Sequence, residues 1–168
     1  MGNQMKYARI DELEYVNGEG IGVSLFVQGC PFHCKGCFNE ETWSYDGGEI
    51  WTSEVEDQFM KLIDRPYITR VSILGGEPLS DRNLQQLSCL LVKIRTLYPK
   101  INIWLYTGFT WEQIFDECDR QRQKIVMLCD VLVDGPFIEE QKDLTLKWRG
   151  SKNQNVINIK AFLDGDIK

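Results

Sequence analysis

Three apolar runs in this chain stop at glycine-containing turns, and that punctuation limits the folds open to it. Val71–Leu74 (VSIL) runs into Gly75-Gly76, Ile101–Gly108 (INIWLYTG) ends on Gly108, and Val131–Val133 (VLV) meets Asp134-Gly135-Pro136. Gly22–Gln28 (GVSLFVQ) and the weaker Val156–Ile159 (VINI) read the same way. Continuous apolar runs of this length suit strands buried on both faces. Between them lie helical patterns. Ser53 with Glu56 makes a capping box ahead of Val55, Phe59, Leu62 and Ile63. Leu84, Leu87, Leu91, Ile94 and Tyr98 form a stripe ended by Pro99. Thr110 with Gln113 makes a second box leading into Ile114, Phe115 and Cys118. Strands alternating with helices predict βα units and a parallel sheet. A closed eight-fold barrel typically takes about 250 residues. The 168 residues here therefore predict one domain, 1–168, of α/β class: a partial (open, truncated) β/α barrel with a mostly parallel sheet.

The charge balance narrows function by exclusion. Nineteen Lys and Arg against 25 Asp and Glu give a net charge of −6, with no basic tract of the kind that binds nucleic acid. No apolar run approaches the length needed to span a bilayer. The opening MGNQMKYARIDELEY carries charge where an export signal needs an apolar core, so a cytoplasmic protein is expected.

In parallel sheets chemistry gathers at the C-terminal ends of the strands. Cys30 follows the first run, Gly75-Gly76-Glu77-Pro78 the second, Thr107-Gly108 the third and Asp134-Gly135-Pro136 the fourth. Of six cysteines, Cys89, Cys118 and Cys129 stand alone and are expected to be buried as small hydrophobes. Cys30, Cys34 and Cys37 are clustered in QGCPFHCKGC. A structural zinc site closes with four ligands, and the only histidine, His33, is badly placed beside Cys34 to complete the set. A redox disulfide needs only two thiols. An iron–sulfur cube takes one thiolate per iron. Three cysteines would leave one iron open to a substrate or cofactor.

The spacing C-x3-C-x2-C, followed about forty residues later by GGEP at a strand end, resembles the radical S-adenosylmethionine enzymes. That resemblance implies a [4Fe–4S] cluster on Cys30, Cys34 and Cys37 as the catalytic and metal site, with S-adenosylmethionine chelated on the open iron. It implies that Gly75, Gly76 and Glu77 receive the methionine amino group. Glycines allow close backbone approach, and a carboxylate accepts from an ammonium. Many members carry an aromatic residue before the last cysteine, against the adenine. Gly36 stands there in this chain, so the adenine contact is assigned to Gly36, Cys37 and Phe38. Tyr106 and Thr107 are candidates to face the ribose. The five tryptophans are expected in core and interface.

Longer phrases narrow the likeness. NGEGIGVSLFVQGCPFHCKGCFNEETW, LGGEPL, WLYTGFTWEQI, VLVDGPF and WRGSKNQ resemble the activating components of anaerobic (class III) ribonucleoside-triphosphate reductases, over about Tyr15 to Ile159. Gly36 is the form expected of that group. The likeness implies reductive cleavage of S-adenosylmethionine to methionine and a 5′-deoxyadenosyl radical, which takes hydrogen from a glycine Cα of the reductase. It implies an electron donor such as reduced flavodoxin, and an open mouth that admits a loop of the partner. Arg149, Ser151, Asn153 and Gln154 supply a donor-rich surface, facing a partner. An activase of another glycyl-radical enzyme, of pyruvate formate-lyase type, would share the triad and the GGEP turn. So would a small-molecule radical enzyme such as a deazapurine synthase. A zinc-binding interaction domain is the non-enzymatic alternative.

Overall fold

A computed structural model describes residues 4–165, so both ends of the domain expected over 1–168 lie outside it. The chain forms β1 (Lys6–Glu14), β2 (Gly22–Val27), β3 (Glu49–Ile50) and α1 (Ser53–Ile63). It continues through β4 (Arg70–Gly75), α2 (Leu84–Leu97), β5 (Asn102–Tyr106), α3 (Trp111–Phe115) and α4 (Arg120–Met127). It closes with β6 (Val131–Asp134), β7 (Asn155–Asn158) and α5 (Ile159–Leu163). One open sheet runs β3-β1-β2-β4-β5-β6-β7. Its centre, β2-β4-β5-β6, is parallel. Antiparallel pairing of β1 with β2, β1 with β3 and β6 with β7 flanks that centre.

The central strands alternate between two buried faces. Val23, Leu25, Val27, Val71, Ile73, Ile103, Leu105 and Leu132 pack in a core with Phe59, Leu87, Leu91, Ile94, Ile114 and Ile125 of the helices. Residues between them, including Ser24, Phe26, Ser72, Leu74, Trp104 and Val133, are also buried but point to the other face. This accounts for the uninterrupted apolar runs.

Local details depart from expectation in three places. The N-cap of α1 is Thr52 rather than Ser53: its Oγ1 accepts from Val55 N–H at 3.2 Å. Glu56 is drawn to Trp51 Nε1 instead, at 3.0 Å. The Thr110–Gln113 box forms as expected, but α3 stops at Phe115 and a separate α4 begins at Arg120, capped by Asp119. Cys118, at φ +57°, occupies the break. Of the three isolated cysteines only Cys129 is buried, and Cys89 and Cys118 are exposed. Leu84, Leu87, Leu91 and Ile94 define the buried stripe of α2, and Cys89 falls on the opposite side.

Candidate metal and cofactor site

Past Val27 the chain turns out of the sheet at Gly29, where φ is +97°. Gly29 N–H donates to Thr42 O at 2.6 Å, and Cys30 N–H donates to Trp43 O at 3.0 Å. The Gln28 amide adds bonds to Ser44 O at 2.7 Å and Glu41 O at 3.1 Å. The cysteine-bearing loop is thus pinned at both its ends. Within it, Cys37 N–H donates to Cys34 O at 3.1 Å, and Asn39 N–H points at Cys37 Sγ at 3.4 Å. Burial pushes the Cys30 thiol up, while the N–H groups of Phe32 and His33 pull it back. Burial likewise raises Cys34, opposed by Phe137 N–H. N–H donors aimed at sulfur suit thiolates, and a bound cation would supply the charge that keeps them ionised. His33 takes φ +48° and stacks on Trp43 with ring centroids 4.7 Å apart, away from a ligand role.

The turn after β4 is stitched onto this loop. Gly76 N–H donates to Val27 O and Glu77 N–H to Gly29 O, each at 2.8 Å. Gly75 sits at φ +101°, and a Cβ on Gly76 would collide with the Gly29 carbonyl. Glu77 is only 1% exposed. Its Oε1 accepts from Leu79 N–H at 2.8 Å and Thr107 Oγ1 at 2.7 Å, and its Oε2 from Gly108 N–H at 2.7 Å. Burial pushes its carboxyl up to about 7 against the pull of these three donors. The expected acceptor for an ammonium is therefore already engaged as a tie between two strand ends.

One cavity of about 590 Å³ unites these parts. It is lined by Cys30, Cys34, Cys37 and Phe38, by Gly75, Gly76 and Glu77, and by Tyr106 and Thr107. Of the expected site residues only Gly36 is absent from the lining. It takes φ +75° and packs on the Glu139 side chain. The Thr107 hydroxyl is committed to Glu77. The Tyr106 hydroxyl is buried without a hydrogen-bond partner among the described residues. Burial raises its pKa, so it stays a donor. Trp51 and Trp104 are buried in the body of the protein, while Trp43 and Trp148 line the cavity.

Two phrases without derived chemistry acquire structural roles. Asp134 of VDGPF is buried and accepts from Trp111 N–H at 2.9 Å and from the backbone and side-chain N–H groups of Asn155 at 3.0 Å. It fixes the start of α3 and pins β7. The donors of RGSKNQ turn inward rather than toward a partner. Gln154 accepts from Gly150 and Ser151 N–H at 2.9 and 3.1 Å, and donates to Gly135 O at 3.1 Å. Asn153 donates to Pro136 O at 2.7 Å. Sequence reasoning placed Pro136 at the strand-end rim and quoted Phe137 within VDGPF without giving either a part in the site, yet Phe137 N–H faces Cys34 and Pro136 lies beside it in the lining.

The donor set tests the two metal readings. A zinc ion needs its ligands to meet at one point, with sulfur about 2.3 Å away. Among the described residues no three His, Cys, Asp or Glu side chains gather in that way. A cube takes its thiolates on separate irons, so three cysteines ringing one cavity fit a cluster.

Comparison with known proteins agrees with this chemistry. Residues 16–157 match the family described as a 4Fe-4S single cluster domain. The chain is 41% identical over 152 residues to the anaerobic ribonucleoside-triphosphate reductase-activating protein of Vibrio cholerae, covering 89% of this chain and 96% of that one. It is 37% identical to the protein of the same name from Escherichia coli K12, covering 93% of this chain and 100% of the relative. For the Haemophilus influenzae protein the identity is 35%, with 93% and 99% covered. Among the described residues no helix is long and apolar enough to cross a membrane.

Proposed function

The chain belongs to the family of anaerobic ribonucleoside-triphosphate reductase-activating proteins, and from that membership we propose how its site performs the activation. It is a radical S-adenosylmethionine enzyme carrying a [4Fe–4S] cluster, and its substrate is the anaerobic reductase. Cys30, Cys34 and Cys37 hold the cluster. A cluster held there would supply the electron for reductive cleavage of S-adenosylmethionine, the chemistry by which a glycine of the reductase would be activated.

The chain's own residues bind, orient and exclude water. Phe32, Phe137 and His33, by their backbone N–H groups, steady the sulfurs of Cys30 and Cys34. Gly75 and Gly76 let the β4 turn approach the methionine end of the cofactor. Glu77 acts beneath them as a positioning residue, through Thr107 and Gly108. The Gly36-Cys37-Phe38 segment is assigned to the adenine, with the Phe38 ring as the contacting group. Of the two ribose candidates, Tyr106 keeps a hydroxyl with no partner among the described residues, whereas the Thr107 hydroxyl is bonded to Glu77. Phe26, Leu74 and Val133 give the cavity an apolar wall.

The sheet is read as an arc of a β/α barrel in a single domain over 1–168, and its missing staves form the mouth that admits the reductase. A reduced flavodoxin is an electron donor of the right class, and the reducing cytoplasm a suitable compartment. The observation that supports the reading most directly is that the three cysteines and the Gly75-Gly76 turn line one cavity. The test is anaerobic mixing of the reconstituted protein with reductant, S-adenosylmethionine and the reductase, followed by electron paramagnetic resonance. The expected signal is the doublet of a glycine-centred radical. Deoxyadenosine release without that doublet would remove the reductase as target.

A further inference from the structure

The stretch from Lys142 to Ser151 is a hairpin at the cavity mouth that binding of the cofactor does not explain. Lys142 and Ser151 form an antiparallel bridge, and Asp143 N–H donates to Gly150 O at 3.1 Å. Ser151 Oγ accepts from Ile138 N–H at 3.2 Å, and Gln154 and Asn153 tie the base to Gly135 and Pro136. At the tip, Asp143 Oδ1 accepts from the Thr145 backbone at 2.9 Å and its hydroxyl at 2.6 Å. Trp148 adopts φ +63°, uncommon for a bulky residue, and packs edge-on against Trp104 at 5.0 Å. Such a conformation persists where its surroundings overdetermine it, often at functional elements.

What this braced hairpin holds out is apolar and basic. Leu144 is 80% exposed, and Val16, from the loop after β1, is 75% exposed. Both line the cavity, as does Leu146. The segment carries three cations (Lys142, Lys147 and Arg149) against one anion, Asp143, in a chain of net charge −6, and of the three Arg149 turns inward to the Gln154 carbonyl. The sulfonium cofactor carries a net positive charge, so a basic hairpin is not complementary to it as a whole. A macromolecule bearing acidic groups is the complementary ligand.

We propose that the 142–151 hairpin is the docking element for the glycine-bearing segment of the reductase, seating an apolar side chain of that segment between Leu144 and Val16 and meeting its acidic residues with Lys147 and its neighbours. The proposal rests on the function proposed above and adds the surface by which the substrate is recognised. Ordered and already at the mouth, the hairpin lets the segment reach the cavity without refolding of the activase.

The test uses the cluster-loaded protein and its cognate reductase. Lys147→Glu and Leu144→Asp are each expected to raise both the Kd measured by sedimentation and the KM for reductase on the order of ten-fold, as loss of a charge contact or a buried anchor does. Leu144→Met restores the wild-type values. Reductase-free deoxyadenosine formation by Lys147→Glu stays within about two-fold, since Lys147 lies outside the lining of the cofactor cavity. Rising salt weakens the wild type more than Lys147→Glu. Unchanged Kd and KM in both variants would overturn the proposal. So would variants that only dissolve a dimer of the activase, which would make a second copy the occupant. A wild type that never cleaves S-adenosylmethionine would instead sink the function itself.

Discussion

The Glu77 carboxylate accepts the Thr107 hydroxyl at 2.7 Å, so the turn after β4 is locked to the turn after β5 from below the cavity. Replacing Glu77 with Gln leaves no good orientation of the amide. Its NH2 must face either Leu79 N–H or Gly108 N–H, which both need an acceptor. A cost of about 1–3 kcal/mol follows for the buried unpaired donor. The cost depends on pH. Because burial raises the native Glu77 carboxyl to about 7, its stability contribution is fully present below the unfolded value near 4.5 and is lost as pH rises through 7. The stability gap between wild type and Glu77→Gln should therefore shrink between pH 5 and 8 in urea melts. A gap that widens would reverse the assignment.

Alanine at Cys30, Cys34 or Cys37 removes one of three sulfurs, and His33, stacked on Trp43, is turned away from replacing it. Loss of an outer-shell partner alone costs about 10–100-fold, so loss of a ligand should lower deoxyadenosine formation by more than about 100-fold. Iron and sulfide content should fall with it in anaerobically reconstituted protein. Wild-type iron content in any of the three variants would remove that cysteine from the site.

Gly76 tests how closely the two site loops must approach. A methyl group there meets the backbone carbonyl of Gly29, which neighbours Cys30 and is itself bonded to Glu77 N–H. Neither side is a flexible side chain that can yield. Gly76→Ala should cost about 1–3 kcal/mol by overpacking and should weaken S-adenosylmethionine binding while iron content stays near normal. Thermal melts and equilibrium dialysis read the two effects separately. Unaltered binding would show that the turn tolerates displacement.

Residues that carry a strong local signal were legible in the sequence, and those that depend on remote partners were not. The runs at Val71 and Val131 read as strands because both of their faces are buried. β1 did not, although it is the longest strand. Register shifts at Tyr7/Arg9 and Asp11/Glu14 break its two-residue period, and neither face is fully buried. The cysteines and glycines of the site were visible because their chemistry is written in residue type and spacing. The tie that Glu77 makes was not legible because its partners, Thr107 and Gly108, lie thirty residues away and only the fold brings them together. The same holds for the bond from the Gln154 amide to Gly135 O, nineteen residues away.

Arg70 and Glu14 set the last prediction. Arg70 is 0% exposed, and its Nη1 donates to Glu14 Oε1 at 2.8 Å at the floor of the cavity. Further guanidinium bonds reach Glu14 O, Asn17 O and Glu19 O at 3.1 to 3.2 Å, so the loop after β1 wraps around a buried charge. Burial alone would raise the Glu14 carboxyl. Arg70, Ser24 and the N–H groups of Asn17 and Val16 outweigh it and hold the pKa at about 2. A lowered native pKa gives stability that is present above the unfolded value near 4.5 and is lost as pH falls toward 2. Its size is about 3 kcal/mol. Glu14→Gln leaves the guanidinium unpaired and should cost about 3–5 kcal/mol at pH 7, with the difference from wild type closing in acid. Adding Arg70→Met should recover part of the loss, because the uncompensated charge, not the missing pair, is what destabilises. If the double variant is no better than Glu14→Gln alone, the loop is held by its backbone bonds and the ion pair is incidental.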